Sequence, residues 1–307
     1  MIRALVVHPG TQHSHHLAVE LHRLNALSEL HTGFAVPSGG TLERVFNLAP
    51  VSWQRRVANR RVEELPSRLV SLQPFLESAA IVRMREGHEN QAVLHCRNER
   101  FQRSVPHRAI EAADVVIGFD TSSWILAERC RNAGKPLVLV QTIGHPDSKK
   151  SVLDEITVRF PQWSVTNEPR LSVVREAEQQ EHDGATAIIA SSSFTRQTLI
   201  QNGVVQNKIR VIPHGVDLDR FSAAQSVRAG SHTFRFVFVG IVDARKGVPL
   251  LLEAWLQLRA QSAELWLVGP AAPHIKSLLP ELSGVRYFGA VPQTELPGIL
   301  LQDAGDL

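Results

Sequence analysis

Two basic side chains between two glycines are the residues of this sequence best placed to bind an anion. Arg245 and Lys246 lie in the turn IVDARKG at 241–247, between the apolar run FVFVG at 236–240 and VPLLLEAWLQL at 248–258. The apolar run is typical of a strand buried on both faces of a parallel sheet, and the last segment has helical spacing. A strand, a basic turn and a helix N-terminus together predict a corner that binds phosphate groups. Solvated turn residues would give the same pattern, so both interpretations stay open.

Polar residues also follow two other predicted strands. Asp120 comes directly after the apolar run DVVIGF at 114–119, and His145 ends the segment KPLVLVQTIGHP at 135–146. In open α/β sheets, ligands bind outside the carboxyl ends of the strands. Asp120 and His145 are therefore the candidate catalytic residues, although many residues at such positions only cap helices.

The first predicted strand is followed by a histidine-rich loop. Residues 2–7, IRALVV, precede the loop HPGTQHSHH, which contains Gly10, and a helical pattern follows. This order is typical of a nucleotide-binding α/β unit, but the loop lacks GxGxxG and is a weak signal by itself. His13, His15 and His16 have no carboxylate or cysteine to complete a ligand set, so we expect loop or helix-cap roles and no metal.

The length of 307 residues suits two domains of about 150 residues each. We expect a first domain at 1–215, a linker at 216–233 that is rich in Ser, Ala, Gln and Gly, and a second domain at 234–307. The second domain has only three predicted strands, which is few for a doubly wound sheet. We therefore expect it to be incomplete at its C-terminal side.

The charge of the chain is unevenly distributed. The net charge is +3, but residues 44–110 contain 12 arginines and 6 acidic residues. Part of this segment, 53–76, has apolar residues at helical spacing, with arginines on its other side. A solvated helix would explain them, and so would a face for an anionic acceptor or a membrane surface. No nucleic-acid-binding module accompanies the arginines, so we expect no nucleic-acid partner.

The sequence favours a cytoplasmic protein, with peripheral contact to the inner face of a membrane as an extension of that expectation. It starts without the charged and apolar segments of a signal peptide, and no apolar run reaches the roughly 18 residues of a membrane helix. Cys96 and Cys130 fit no disulfide or metal spacing, as expected in a reducing compartment.

Four motifs in sequence carry a resemblance to a known family. They are IPHGVD-x3-F at 212–221, VG-x5-KG at 239–247, LxLVG at 265–269 and FGAVPQTEL at 288–296. In this order the chain resembles the family-4 glycosyltransferases, retaining enzymes of GT-B fold, strongly over 187–303 and more weakly before. The resemblance implies an α/β fold of two Rossmann-like domains with parallel sheets facing a cleft.

The resemblance also implies roles for particular residues. Lys246 matches the lysine that contacts the donor diphosphate, and Arg245 is expected to substitute for an arginine that the family has where this chain has Ile241. Gly289 and Val291 match the segment that meets the nucleotide base. Gly10 matches the first-domain loop that faces the sugar and phosphates. The implied donor is a nucleotide-diphosphate sugar, with no further cofactor.

Two departures from the family pattern leave alternatives open. The family usually has a histidine after the strand that DVVIGF resembles, where this chain has Asp120, with His145 after the next strand. The family's glutamate-bearing segment would lie beyond Leu307. We expect glycosyl transfer with retention to a glycan or lipid-linked acceptor, in polysaccharide or glycolipid biosynthesis. The alternatives are a non-catalytic fragment or nucleotide-sugar-binding subunit and, less favoured, a nucleotide-sugar epimerase.

Overall fold

The computed structural model is an α/β protein with parallel sheets. The structure describes residues 2–11, 13–48, 60–163, 170–216, 218, 221, 234–258, 262–279, 283–292 and 294–301. The chain divides into two compact units. The first unit comprises Met1–His145 and Pro169–Pro213, and the second comprises Pro146–Glu168 and His214–Leu307.

The described strands pair in parallel in three sheets. The strands are β1 Ala4–His8, β2 Leu27–Thr32, β3 Val36–Ser38, β4 Arg61–Pro66, β5 Val70–Leu72, β6 Val115–Phe119, β7 Leu137–Gln141, β8 Ala187–Ala190, β9 Ile209–Val211, β10 Phe234–Val239, β11 Ala263–Val268 and β12 Val285–Gly289. A seven-stranded sheet has the order β5-β2-β1-β6-β7-β8-β9, β3 pairs with β4, and the second unit has the order β10-β11-β12.

Helices connect most of these strands, as parallel pairing requires. They are α1 Ser14–Arg23, α2 Thr41–Asn47, α3 Pro74–Arg85, α4 Asn90–Ser104, α5 His107–Ala112, α6 Trp124–Asn132, α7 Pro146–Arg159, α8 Ser172–Gly184, α9 Ser193–Gln201, α10 Val248–Leu258, α11 Pro273–Lys276 and α12 Leu296–Leu301. Local sequence explains the bounds of α9: the Ser192 hydroxyl accepts a hydrogen bond from the Thr195 N–H at 3.0 Å, and Gly203 follows with φ +88°.

The core of the first unit lies on both faces of its seven-stranded sheet. All five residues of β1 are buried. Leu5 and Val7 belong to the apolar cluster on one face, and Ala4 and Val6 belong to the cluster on the other. A central strand of a parallel sheet is covered on both sides, which explains why it is continuously apolar.

The seven-stranded sheet reverses its winding direction between β1 and β6. From β1 the chain builds outward through β2 to β5, and it then returns to add β6, β7, β8 and β9 on the other side of β1. The loops after β1 and β6 therefore diverge at their carboxyl ends. Such a reversal opens a crevice in which α/β proteins bind ligands.

The second unit includes a segment that comes from the middle of the chain. Ile156 and Phe160 from α7 and the end of that helix, together with Trp163, join the apolar cluster that contains Leu252 and Trp255 of α10. The domain boundaries expected from the sequence differ here, because they assign Pro146–Glu168 to the first domain. The expected linker, 216–233, lies almost entirely outside the described residues.

The environment of β10 was predicted wrongly. The sequence predicts burial on both faces, but Phe236 is 42% exposed and Val239 is 48% exposed. Among the described strands, β10 pairs only with β11 and forms one edge of its sheet. A continuous apolar run is compatible with either position, and the neighbouring strands decide between them.

The helical pattern predicted at 53–76 is also wrong for residues 61–66 and 70–72, whereas residues 74–76 begin α3. Residues 61–66 form β4 and residues 70–72 form β5, while 53–59 lie outside the described residues. Val62 and Leu65 are buried in the first unit, as a helix would also require. Pairing with β3 and β2 outweighs the local periodicity, and β4 ends at Pro66, which lacks an N–H donor.

Candidate functional site

Polar side chains meet at the carboxyl edge of the seven-stranded sheet, where its winding reverses. His8 is the last residue of β1, Asp120 follows β6 directly, and Gln141 is the last residue of β7. These three strands are neighbours in the sheet. All three side chains are buried, so they must satisfy their polar atoms within the protein.

Asp120 is a buried carboxyl group with weak hydrogen-bond support. The Thr142 hydroxyl and the Gln141 amide each donate to one of its oxygens at 3.4 Å. Burial raises the pKa of Asp120 from 3.8 to about 7, against the opposing effects of the Thr142 hydroxyl and of Arg170. A carboxyl group that titrates near neutral pH can act as a proton donor or acceptor.

Glu181 holds the loop that carries Asp120, and the sequence analysis did not find it. It projects from α8, and its two oxygens accept hydrogen bonds from the N–H groups of Thr121 at 2.8 Å and Ser123 at 2.6 Å. Thr121 has a left-handed backbone conformation, with φ +66°. Burial raises the pKa of Glu181 to about 8, the charge of Asp120 adds to this, and the two N–H donors oppose it.

His8 is a neutral imidazole with one nitrogen engaged. Its Nδ1 lies 3.1 Å from the Ser122 hydroxyl, which itself donates to the Phe119 carbonyl at 3.1 Å. In the tautomer with its proton on Nδ1, His8 donates to the Ser122 hydroxyl and keeps a lone pair on Nε2. Burial, with the charge of Arg97, lowers the pKa of His8 to about 3. A Cβ atom on Gly10 would lie 3.0 Å from Nε2.

His145 is linked to Asp120 through two other side chains. Its ring centre lies 5.7 Å from that of His182. The backbone N–H of His145 donates to the Thr198 hydroxyl at 2.9 Å. His182 Nε2 donates to the Gln141 Oε1 at 3.1 Å, and the amide of Gln141 reaches Asp120. The two candidate catalytic residues of the first unit are therefore connected by one ring contact, between His145 and His182, and by hydrogen bonds from His182 onward.

The other histidines of the first loop do not come together. His15 is buried and its Nε2 lies 3.3 Å from the Thr32 hydroxyl, whereas His13 and His16 are exposed. Within the described part of the chain, no three histidine, cysteine or acidic side chains are grouped as metal ligands.

In the second unit, the basic turn has the geometry that anion binding needs. Ala244–Lys246 forms a single 3-10 turn, and the Asp243 carboxylate caps it by accepting from the Lys246 N–H at 2.9 Å. Gly247 follows with φ +75°, and α10 begins at Val248. Arg245 and Lys246 are both exposed, and Arg245 lies 3.9 Å from Asp243. Two cations thus flank the N-terminus of a helix.

A glycine lies at the carboxyl end of each of the three described strands of the second unit. Gly240, Gly269 and Gly289 have φ of +154°, +144° and +74°. The Gly269 N–H donates to the Gly289 carbonyl at 2.8 Å, and a Cβ atom on Gly269 would lie 1.8 Å from the Gly240 carbonyl oxygen. A Cβ atom on Gly289 would meet nothing within 4 Å, so this strand end leaves its backbone open, whereas Gly269 is buried against Gly240. Gly289 and Val291 are half-buried at this edge.

A family comparison matches the middle of the chain. Residues 93–220 match the family model described as Glycosyltransferase Family 4. Over these residues the predicted resemblance is confirmed, although the sequence analysis placed its stronger part at 187–303. No curated protein sequence matches the chain. Among the described helices, none combines the length and the apolar composition of a membrane span.

Solved structures share the fold. HepE from Anabaena in complex with UDP and glucose has a TM-score of 0.53 and 14% identity, covering 98% of this chain and 72% of that chain. The lipopolysaccharide outer core galactosyltransferase WaaB has a TM-score of 0.48 and 13% identity over 99% and 71%. UDP-N-acetylglucosamine 2-epimerase from Rickettsia bellii has a TM-score of 0.44 and 11% identity, covering 96% of this chain and 71% of that chain. The HepE similarity and the parallel α/β units confirm the predicted α/β, GT-B-like fold.

Proposed function

We propose that this protein is a glycosyltransferase that moves a sugar from a nucleotide-diphosphate sugar to an acceptor, with retention of configuration at the sugar. The basic turn at the N-terminus of α10 carries the proposal. It follows the carboxyl end of β10, and Gly289 ends β12 at the same edge of the sheet with open space where a Cβ atom would be. The family match over residues 93–220 and the fold shared with HepE, whose structure contains UDP and glucose, support it.

In the proposed reaction, catalysis depends on stabilising the leaving group. The nucleotide diphosphate gains negative charge as the glycosidic bond breaks. Preorganised cations and N–H dipoles stabilise such charge more in the transition state than in the ground state. Lys246, Arg245 and the Leu250 N–H of α10 fulfil this role, since Pro249 has no N–H and the Val248 N–H donates to the Asp243 carbonyl at 3.4 Å. Gly289 and Val291 contact the base. We propose that no metal takes part, so a chelator should leave turnover unchanged.

We assign the acceptor to the first unit. Asp120 and His145 are the proposed catalytic residues, because Asp120 titrates near neutral pH and His145 joins its network through His182. Gly10 leaves the backbone of its loop open beside His8 Nε2, which can accept a hydrogen bond from a hydroxyl group. The proposed acceptor is a glycan or lipid-linked molecule, and the arginine-rich segment 44–110 provides its contact with a cytoplasmic membrane surface.

Calorimetric binding of UDP and GDP to the full chain tests the donor assignment. The Lys246→Ala variant removes an exposed ammonium from a polar turn and should weaken binding about tenfold or more, with folding unaffected. Lys276→Ala is the matched control, since Lys276 is an exposed lysine of the same unit. Equal loss of binding in both variants, or no binding by the folded wild type, would contradict the proposal.

A product assay with the bound nucleotide's sugar donors tests the reaction class. Transfer to an added acceptor with the anomeric configuration retained supports the proposal. Release of an isomerised donor would indicate an epimerase instead. Lys246-dependent binding with no turnover for any acceptor would leave a nucleotide-sugar-binding protein, and the transferase assignment would be wrong.

A further inference from the structure

Arg60 and Arg97 both donate hydrogen bonds to the Glu77 carboxylate, near the carboxyl edge of the seven-stranded sheet. Arg97 Nη1 donates to Glu77 Oε2 at 2.6 Å, and Arg60 Nη2 donates to Glu77 Oε1 at 3.2 Å. The side chains of Arg60, Glu77 and Arg97 are 28%, 13% and 15% exposed. Two cations and one anion give this largely buried cluster a net charge of +1. An excess charge removed from water is costly unless a further counter-charge joins it.

Some guanidinium N–H groups of the cluster can donate hydrogen bonds to such a counter-charge. Arg97 uses Nε for the Asn98 side-chain oxygen, at 2.9 Å, and Nη1 for Glu77. Arg60 uses only Nη2 and lies 6.0 Å from the centre of the Phe34 ring. Arg97 Nη2 and Arg60 Nε and Nη1 donate to no acceptor in the described part of the chain. Unused guanidinium groups of this kind bind phosphate well, because the planar fork matches its oxygens.

The cluster lies against the loop that contains Gly10. A Cβ atom on Gly33 would lie 2.4 Å from the Pro9 carbonyl oxygen and 3.5 Å from Glu77 Oε2, so Glu77 reaches the ends of β1 and β2. The charge of Arg97 contributes to the low pKa of His8, and that of Arg60 to the low pKa of His15, which places both arginines beside these strand ends. Arg97 also connects to the Asp120 loop, because Asn98 Nδ2 donates to the Thr121 carbonyl at 2.7 Å.

We propose that Arg60 and Arg97 bind a phosphate group of the acceptor, so that the acceptor of this transferase is a phosphorylated molecule. This inference rests on the proposed function, which assigns the acceptor to the first unit. Glu77 holds the two guanidinium groups in place and leaves one positive charge for the ligand. A phosphate bound here lies at the switch point of the sheet, on the side of Gly10 and His8.

Arg60→Gln is the informative substitution, because Arg60 makes a single 3.2 Å hydrogen bond within the described protein. Arg103→Gln is its matched control: Arg103 lies on α4 with Arg97, is 65% exposed and, among the described residues, pairs with Glu99 alone. Both variants are made with Lys246→Ala, so that the basic turn of the second unit cannot supply the phosphate contact. The probe is glycerol 3-phosphate, measured by calorimetry on the full chain. Arg60→Gln should weaken its binding about tenfold to a hundredfold, and Arg103→Gln should not.

Co-sedimentation with vesicles distinguishes the sources of the phosphate. Vesicles of phosphatidylcholine with phosphatidylglycerol, compared with phosphatidylcholine alone, test a lipid-borne group. Arg60-dependent binding of both probes assigns a phospholipid-type acceptor, and Arg60-dependent binding of glycerol 3-phosphate alone assigns a soluble one. No binding, or equal binding by the two arginine variants, overturns the inference. UDP titration of the protein that keeps Lys246 measures the donor site separately. The two proposals can therefore fail independently.

Discussion

Replacing Asp120 with asparagine should change how the stability of the first unit depends on pH. Asp120 is buried and faces the Thr142 hydroxyl, the Gln141 amide and the charges of Arg170 and Glu181. Asparagine has nearly the same shape and no ionisable proton. One of the two donors to Asp120 loses its acceptor in the variant, which costs about 1–3 kcal/mol at every pH.

The pH-dependent part follows from the raised pKa. Between pH 3.8, where the unfolded group titrates, and about 7, the folded state holds a proton that the unfolded state has lost. The free energy of unfolding of the wild type therefore falls as the pH rises through this range. At about 1.36 kcal/mol per pKa unit, the fall from pH 5 to pH 8 is about 3 kcal/mol. Removing the charge of Asp120 also lowers the pKa of Glu181, which acts in the same direction.

Urea unfolding, monitored by hydrogen exchange of peptides from β6 and β7, measures the free energy of unfolding of the first unit alone. The variant is compared with the wild type at pH 5, 6, 7 and 8. The difference in free energy of unfolding should move in favour of Asp120→Asn by about 3 kcal/mol across the series, on top of the constant offset. A difference that stays flat would mean that Asp120 is already ionised at pH 5 in the folded protein. The role of Asp120 as a proton carrier near neutral pH would then be wrong.

Four further substitutions test the hydrogen bonding and packing of the two units. Glu181→Ala removes the acceptor of two buried N–H groups and should cost about 2–5 kcal/mol, read from urea unfolding in β6 peptides. Gly269→Ala places a Cβ atom 1.8 Å from a carbonyl oxygen and should prevent a stable second unit, whereas Gly298→Ala, with no atom within 4 Å, should raise the melting temperature slightly. Trp163→Ala should cost about 3–5 kcal/mol and raise hydrogen exchange in β11 peptides, not in β6 peptides. Exchange that rises in β6 instead would place Trp163 with the first unit.

The strand ends could be predicted because each signal is local. Asp120, Lys246 and Gly289 follow short apolar runs, and such runs are buried strands whose carboxyl ends share one edge. The sequence also shows the basic turn and the start of α10 directly. The pattern cannot show whether an apolar run is central or at an edge, which is why the burial of β10 was predicted wrongly.

The residues that hold the site were missed because their partners are far away in sequence. Glu181 lies in the hydrophilic helix REAEQQEHDG and binds N–H groups about 60 residues earlier. Nothing in its own segment distinguishes it from the exposed Glu176. His8 is the exception among the missed residues. It ends β1 in the same way that Asp120 follows β6, so the rule that ligands bind at the carboxyl ends of strands would have selected it too.

The assignment of Pro146–Glu168 to the second unit affects how the protein is made. Trp163 leaves the ribosome 92 residues before Trp255, its partner in the apolar cluster. At about 5–20 residues per second, its apolar surface waits roughly 5–20 s for that partner. Meanwhile the first unit cannot finish its sheet until β8 and β9 emerge, because they come after this segment. The second unit must therefore complete its core after the first unit has received β9, because α10 and β12 follow β9 in the chain. A shortened gene starting at His214 would yield a second unit that lacks Ile156, Phe160 and Trp163 in its apolar core.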